Sequence, residues 1–206
     1  MSGDSIRENR NYTLIIDKSA SMATSDDTSG QNRWEIAQRT AYALAKKCEE
    51  INSAGITVYL FSGRFRRYEN VTPDKVTKIY AENEPMGQTN LAKVLQNGLD
   101  NYFERTAADK TQPNGETFLV ITDGEPTDRK AVIRVIVEAS QKIDRREELA
   151  ISLIQVGRDT KVTTFFKALE NELETAGAKF GIVNTVTVDD MKCMPLTDVL
   201  LNAIID

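Results

Sequence analysis

Residues 14–23 read LIIDKSASMA, and the way this run ends decides the architecture. Leu14, Ile15 and Ile16 are apolar in succession, without the in-out alternation of a half-exposed strand, and the run closes on the carboxylate of Asp17. A short, continuously apolar segment of this kind reads as a strand covered on both faces. Working outward, Tyr12–Asp17 is the first of five such strands; the others are expected at Ile56–Ser62, Thr117–Asp123, Ala150–Gly157 and Phe180–Asp189.

Segments of helical period separate them. Trp34–Ile51 carries a stripe of Trp34, Ala37, Ala41, Leu44, Ala45, Cys48 and Ile51, and Asn90–Phe103 carries Leu91, Val94, Leu95, Leu99 and Tyr102. Lys130–Ile143, Val162–Leu173 and Leu196–Ile205 follow. Strand and helix alternate, which predicts an α/β fold: a Rossmann-like, doubly wound, mostly parallel sheet with helices on both faces. Arg64–Val71 interrupts the alternation. It follows Ser62-Gly63 too closely for a crossover, so it is expected to return antiparallel as an edge strand. Its Arg64, Arg66 and Arg67 have two readings, a charged defence against edge-to-edge pairing and an anion-binding patch. Residues 1–10 are expected to form a flexible tail and 11–206 a single domain, with 23–32 and 107–115 as loops.

Composition narrows the function classes. The chain has 206 residues, 28% of them charged, and a net charge of -5, a balance that disfavours broad contact with a phosphate backbone. MSGDSIRENR lacks an apolar signal core, and no stretch approaches the roughly 18 apolar residues of a membrane-spanning helix. A soluble, cytoplasmic chain with no nucleic-acid or membrane partner is the expectation. Cys48 and Cys193 lie far apart with no CxxC, so both read as reduced thiols. There is no histidine, which removes Ser-His-Asp and Cys-His catalysis and the usual imidazole base. Neither GxxxxGK[ST] nor GxGxxG occurs, so nucleotide-binding loops are absent.

In an open parallel sheet, ligands gather outside the carboxyl ends of the strands. Asp17 ends the first strand there, Asp123-Gly124 ends another, and Thr89 in MGQTN precedes a helix that enters from the same rim. Asp17, Ser19, Ser21, Thr89 and Asp123 therefore collect at one edge. All offer oxygen and none offers nitrogen or sulfur, which suits hard cations such as Mg²⁺, Ca²⁺ or Mn²⁺. The two carboxylates balance the ion's charge, while the hydroxyls add coordination without further negative charge. Such an ion keeps its attraction for an outside anionic oxygen. Each segment also has a plainer reading: an Asx turn at Asp17, a helix cap at Thr89, a tight turn at Asp123-Gly124.

The motifs DKSAS, GQT and TDG, in this order, resemble the metal-ion-dependent adhesion site of von Willebrand factor type A domains, and the resemblance covers nearly the whole chain, from Tyr12 to Ile205. The resemblance implies that Ser19, Ser21 and, in the ligand-competent state, Thr89 coordinate the metal, with Asp17 and Asp123 acting largely through water. It implies that a Glu or Asp of a partner protein fills the open position. Gln88 departs from the family, which commonly has a second glycine there. Without an extracellular pattern the chain resembles the intracellular members, which serve in assembly or scaffolding. Mg²⁺ is the expected ion. Asp26 and Asp27 are similar to an Asp pair that binds a neighbouring Ca²⁺ in integrin β-subunit domains, although displaced along the loop.

Two other classes compete with a non-enzymatic binding module. Asp17 at a strand end could serve as nucleophile of a Mg²⁺-dependent phosphoaspartyl phosphatase, although Ser19 stands where such enzymes carry a second Asp. A metal-free scaffold of the same fold is the other. Thr127 or Asp128 is expected to cap the helix at Lys130. In that helix Ile133 or Val137 offers a self-association or partner surface, with deep packing as the alternative.

Overall fold

The computed structural model describes residues 7–26, 30–52 and 55–205. Its six strands are β1 (Asn11–Asp17), β2 (Ile56–Phe61), β3 (Phe65–Val71), β4 (Glu116–Thr122), β5 (Leu149–Gln155) and β6 (Val183–Thr187). They form one sheet in the order β3-β2-β1-β4-β5-β6, parallel except for β3, which pairs antiparallel with β2 at the edge. The expected doubly wound sheet with one antiparallel edge strand is the observed fold. Strand order reverses between β1 and β4, so the crevice at their carboxyl ends is the switch point of the sheet.

The helices are α1 (Arg33–Ile51), α2 (Pro73–Ala81), α3 (Leu91–Ala107), α4 (Arg129–Gln141), α5 (Thr160–Glu172), α6 (Val188–Met191) and α7 (Leu196–Ile205). They cover the two faces of the sheet. On one face Ile15, Tyr59, Phe118, Val120 and Leu153 pack with α3, α4 and α5 through residues such as Leu95, Ile136 and Phe166. On the other Leu14, Ile16, Val58, Leu119 and Ile121 pack with α1, α2 and α7 through Leu44, Val76 and Leu200. Leu14 and Ile15 are both fully buried but belong to opposite faces, because successive strand side chains alternate. That is why LIID shows no polar alternation. Each such side chain contributes on the order of 1.5–3 kcal/mol by burial.

Two elements depart from the expectation. α2 has no counterpart among the expected helices; Thr72 accepts a hydrogen bond from the Lys75 amide as its cap, Pro73 opens its first turn, and Tyr80 packs against Trp34 with the rings tilted and their centroids 4.3 Å apart. The last strand is shorter than Phe180–Asp189. Thr187 and Asp190 form a reciprocal capping box that turns the chain into α6. In α4, Val132, Val135 and Ile136 are buried, while Ile133 and Val137 are half-buried and packed against the same core.

The amino end of the sheet is tied by Arg10, the last residue of the expected tail, whose first residues 1–6 lie outside the described ones. Arg10 is fully buried. Its guanidinium donates to the Thr117 hydroxyl at 2.6 Å, to the Glu116 carbonyl at 2.8 Å, and to the carbonyls of Glu147 and Asn114. Burial pulls its pKa down to about 10, against the opposing pull of Glu116 and Glu147.

Candidate functional site

The carboxyl end of β1 places Asp17 with no exposed surface. One carboxylate oxygen accepts the Ser19 amide at 2.7 Å and the other accepts the Thr122 hydroxyl, from the end of β4, at 2.6 Å. The Asx turn therefore exists, but it uses only half of the carboxylate. Burial pushes the Asp17 pKa up to about 6; the bonds from Thr122 and Ser19 oppose this and the charge of Asp123 adds to it.

Beyond Asp17 the chain makes a single tight helical turn, Ala20–Ala23, that presents Ser19 and Ser21 on one side. Their hydroxyl oxygens lie 3.1 Å apart, and Ser21 donates to an Asp123 carboxylate oxygen at 2.9 Å. Ser19, Ser21 and Asp123 thus form a continuous chain of oxygens. Thr89 approaches from the α2–α3 connection. A Cβ built on Gly124 would lie 3.8 Å from the Thr89 hydroxyl oxygen and 3.9 Å from that of Ser21, so both face the space that this glycine leaves open. Asn90, not Thr89, caps α3, which leaves the Thr89 hydroxyl out of helix capping. The structure brings all five expected residues to one rim.

Backbone bonds hold the three segments in register. The Met86 amide donates to the Lys18 carbonyl at 2.6 Å and the Ala20 amide to the Gly87 carbonyl at 3.0 Å. Gly87 makes this turn with φ of +85°, and Gln88, the departure noted above, is exposed. Thr127 donates to the Thr89 carbonyl through both its amide, at 2.9 Å, and its hydroxyl, at 3.0 Å. Of the two expected caps of α4 the one used is Asp128. Thr127 instead fixes Thr89.

Arg33, at the start of α1, is the residue that sequence reasoning missed. Its guanidinium donates to the second oxygen of Asp123 at 2.7 Å and grips Asp26 through two nitrogens. The hydrogen bonds it donates to Asp26 raise the Arg33 pKa above its ordinary value despite partial burial. Gly157 makes room for this pair: with a φ of +85°, a Cβ there would lie 2.8 Å from Arg33 Nε and 2.9 Å from an Asp26 oxygen. Asp26 is thus held by Arg33, and Asp27 lies outside the described residues.

The donor set fits a hard cation in composition. Among the described residues no three His, Cys, Asp or Glu side chains converge as a metal-holding group. The rim instead combines two carboxylates with three hydroxyls, and Arg33 demonstrates that it already holds positive charge against Asp123. Every oxygen of Asp17 and Asp123 accepts a protein hydrogen bond, whereas the Ser21 and Thr89 hydroxyls face the space over Gly124 and the Ser19 hydroxyl lies against that of Ser21.

The sequence profile of the von Willebrand factor type A domain matches residues 12–126, more than half of the chain, and the chain belongs to that family. Its fold is similar to two solved structures. One is a mutant of the PilB minor pilin from Streptococcus sanguinis, with a TM-score of 0.59 and 16% identity over 94% of this chain and 62% of the pilin. The other is the manganese-loaded TRAP protein from Plasmodium vivax, with a TM-score of 0.58 and 13% identity over 95% of this chain and 74% of that one. The chain thus spans less than two thirds of the pilin. No curated protein sequence matches it. Among the described residues no helix is long and apolar enough to cross a membrane.

Proposed function

We propose that this domain is a non-enzymatic interaction module that binds one divalent cation at the β1/β4 crevice and captures a Glu or Asp of a partner protein there. The observation that carries the reading is the oxygen chain Ser19–Ser21–Asp123 with a guanidinium already seated on its carboxylate end. Ser19, Ser21 and Thr89 would hold the ion, and Asp17 and Asp123 would orient those hydroxyls and supply the balancing charge. The ion would supply a Lewis-acidic position for the partner's carboxylate. That the TRAP neighbour carries manganese supports a divalent cation in this family; Mg²⁺ is the first choice, with Ca²⁺ and Mn²⁺ compatible with the same oxygens. We place the module in the cytoplasm, as an intracellular adhesion-site domain serving assembly or scaffolding.

A phosphoaspartyl enzyme is disfavoured because Asp17 is buried with both oxygens engaged, whereas a nucleophile needs an accessible carboxylate. The test is calorimetric titration of Mg²⁺ and Ca²⁺ into chelator-treated protein, with Asp123→Ala as control. Saturation near one ion per chain, lost in the variant, is expected. Absence of heat with either ion would leave the metal-free scaffold.

A further inference from the structure

Beside the rim, on the side of the sheet edge, lies a cleft of about 630 Å³ lined by Lys18, Ser62, Arg64, Phe65, Arg66 and Met86, among others. Its lining adjoins the candidate site along the chain, since Lys18 stands between Asp17 and Ser19, and Gly87, another lining residue, stands two positions before Thr89. The three arginines of the edge segment separate here. Arg67 turns to the other face of β3, where it pairs with Glu69, bonds Asn101 and lies over the Tyr59 ring. Arg64 and Arg66, two positions apart, both line the cleft with Lys18. No acidic residue lines it, and among the described residues none of these three cations has an ion-pair partner. Met86, 60% exposed, adds an apolar wall with half-buried Phe65.

Edge protection accounts for charges on β3. It does not account for Lys18, which comes from a different segment, for the concavity, or for an exposed methionine at its mouth. We infer that this cleft is the docking surface for an acidic peptide segment of the partner protein. One carboxylate of that segment would go to the rim, its neighbouring carboxylates to Lys18, Arg64 and Arg66, and an apolar side chain to Met86. The inference rests on the proposed capture of a carboxylate at the rim and adds what surrounds that carboxylate. Charge complementarity favours an acidic peptide over nucleic acid, because the chain as a whole carries -5 and would repel a long polyanion away from this cleft.

The test uses fluorescein-labelled hexaglutamate, titrated by anisotropy in Mg²⁺ and in chelator at low and high salt. The proteins are wild type, the double variant Arg64→Gln/Arg66→Gln and, separately, Asp123→Ala. The double variant is expected to bind about tenfold more weakly with or without Mg²⁺, with a shallower salt dependence and an unchanged Mg²⁺ titration. Equal affinity of double variant and wild type, or no binding of hexaglutamate to wild type, overturns the inference. So does a single-stranded oligonucleotide that binds wild type more tightly than the peptide and is lost in the double variant. Failure of the cation reading is distinguishable: Mg²⁺ would then make no difference and Asp123→Ala would behave as wild type, while the arginine variant still lost the peptide.

Discussion

Replacing Asp17 by Asn should stabilise the cation-free protein at neutral and alkaline pH, although it removes a charged group from the proposed site. The folded pKa of Asp17 is raised from 3.8 to about 6 by burial. A carboxyl whose folded pKa lies above its unfolded value binds its proton more tightly when folded, so stability falls as pH rises between those two values and the full penalty applies above the upper one. At about 1.4 kcal/mol per pKa unit the ionised carboxylate costs roughly 3 kcal/mol at pH 8. Asn keeps an oxygen for the Ser19 amide and offers an N–H to the Thr122 hydroxyl oxygen, so both contacts of the wild-type carboxylate have a counterpart. Urea unfolding in chelator should show the variant more stable by roughly 3 kcal/mol at pH 8, the gap shrinking below about 1 kcal/mol near pH 4. Adding Mg²⁺ should then rescue wild type alone, by about 2.7 kcal/mol at a hundredfold excess over its dissociation constant. A variant no more stable than wild type in chelator at pH 8, or a gap indifferent to pH, would refute the desolvation argument.

Arg33→Gln withdraws the guanidinium from a buried carboxylate, and is expected to cost about 2–3 kcal/mol in chelator while tightening Mg²⁺ binding several-fold, both read by thermal unfolding and calorimetry. Gly115→Ala should abolish folding: φ is +80° and the added Cβ would sit 2.0 Å from the Glu148 carbonyl oxygen, a backbone atom with nowhere to move, so soluble yield and far-ultraviolet dichroism decide it. A thiol reagent should label Cys193 in the native protein and both cysteines only after denaturation, because Cys193 is exposed whereas burial pushes the Cys48 thiol up to about 12. Fast labelling of both in native protein would contradict the packing of α1.

The parallel strands were legible because burial on both faces writes itself into consecutive residues, as at Leu14-Ile15-Ile16 and Phe118–Ile121. The five rim residues were legible because the carboxyl ends of parallel strands share an edge whatever the loops do between them. α2 escaped because the stretch 73–81 is short, although Thr72-Pro73 carried a cap-and-first-turn signal and Val76, Ile79 and Tyr80 a buried stripe. Arg33 escaped for a different reason. Its partner Asp123 is 90 residues away, and nothing local marks a helix-start arginine as the counterion of another loop. Thr122 and Thr127 are similar: one reads as a strand residue and the other as a cap, and only the meeting of β1, β4 and the α2–α3 connection makes one the donor to Asp17 and the other the clamp on Thr89.

The central place of β1 has a consequence for biosynthesis. Its neighbours are β2, which follows after α1, and β4, which follows about a hundred residues later. At about 5–20 residues per second a ribosome delivers β4 some 5–20 seconds after β1 has been made. For that interval one edge of this buried strand lacks its native partner, and its hydrogen-bonding groups are open to any extended chain nearby. The nascent protein is therefore most exposed to aggregation, and most in need of a chaperone, during synthesis of α2 and α3. A ribosome stalled before residue 116 should hold a chain that is captured by such a chaperone and released once Thr122 has emerged.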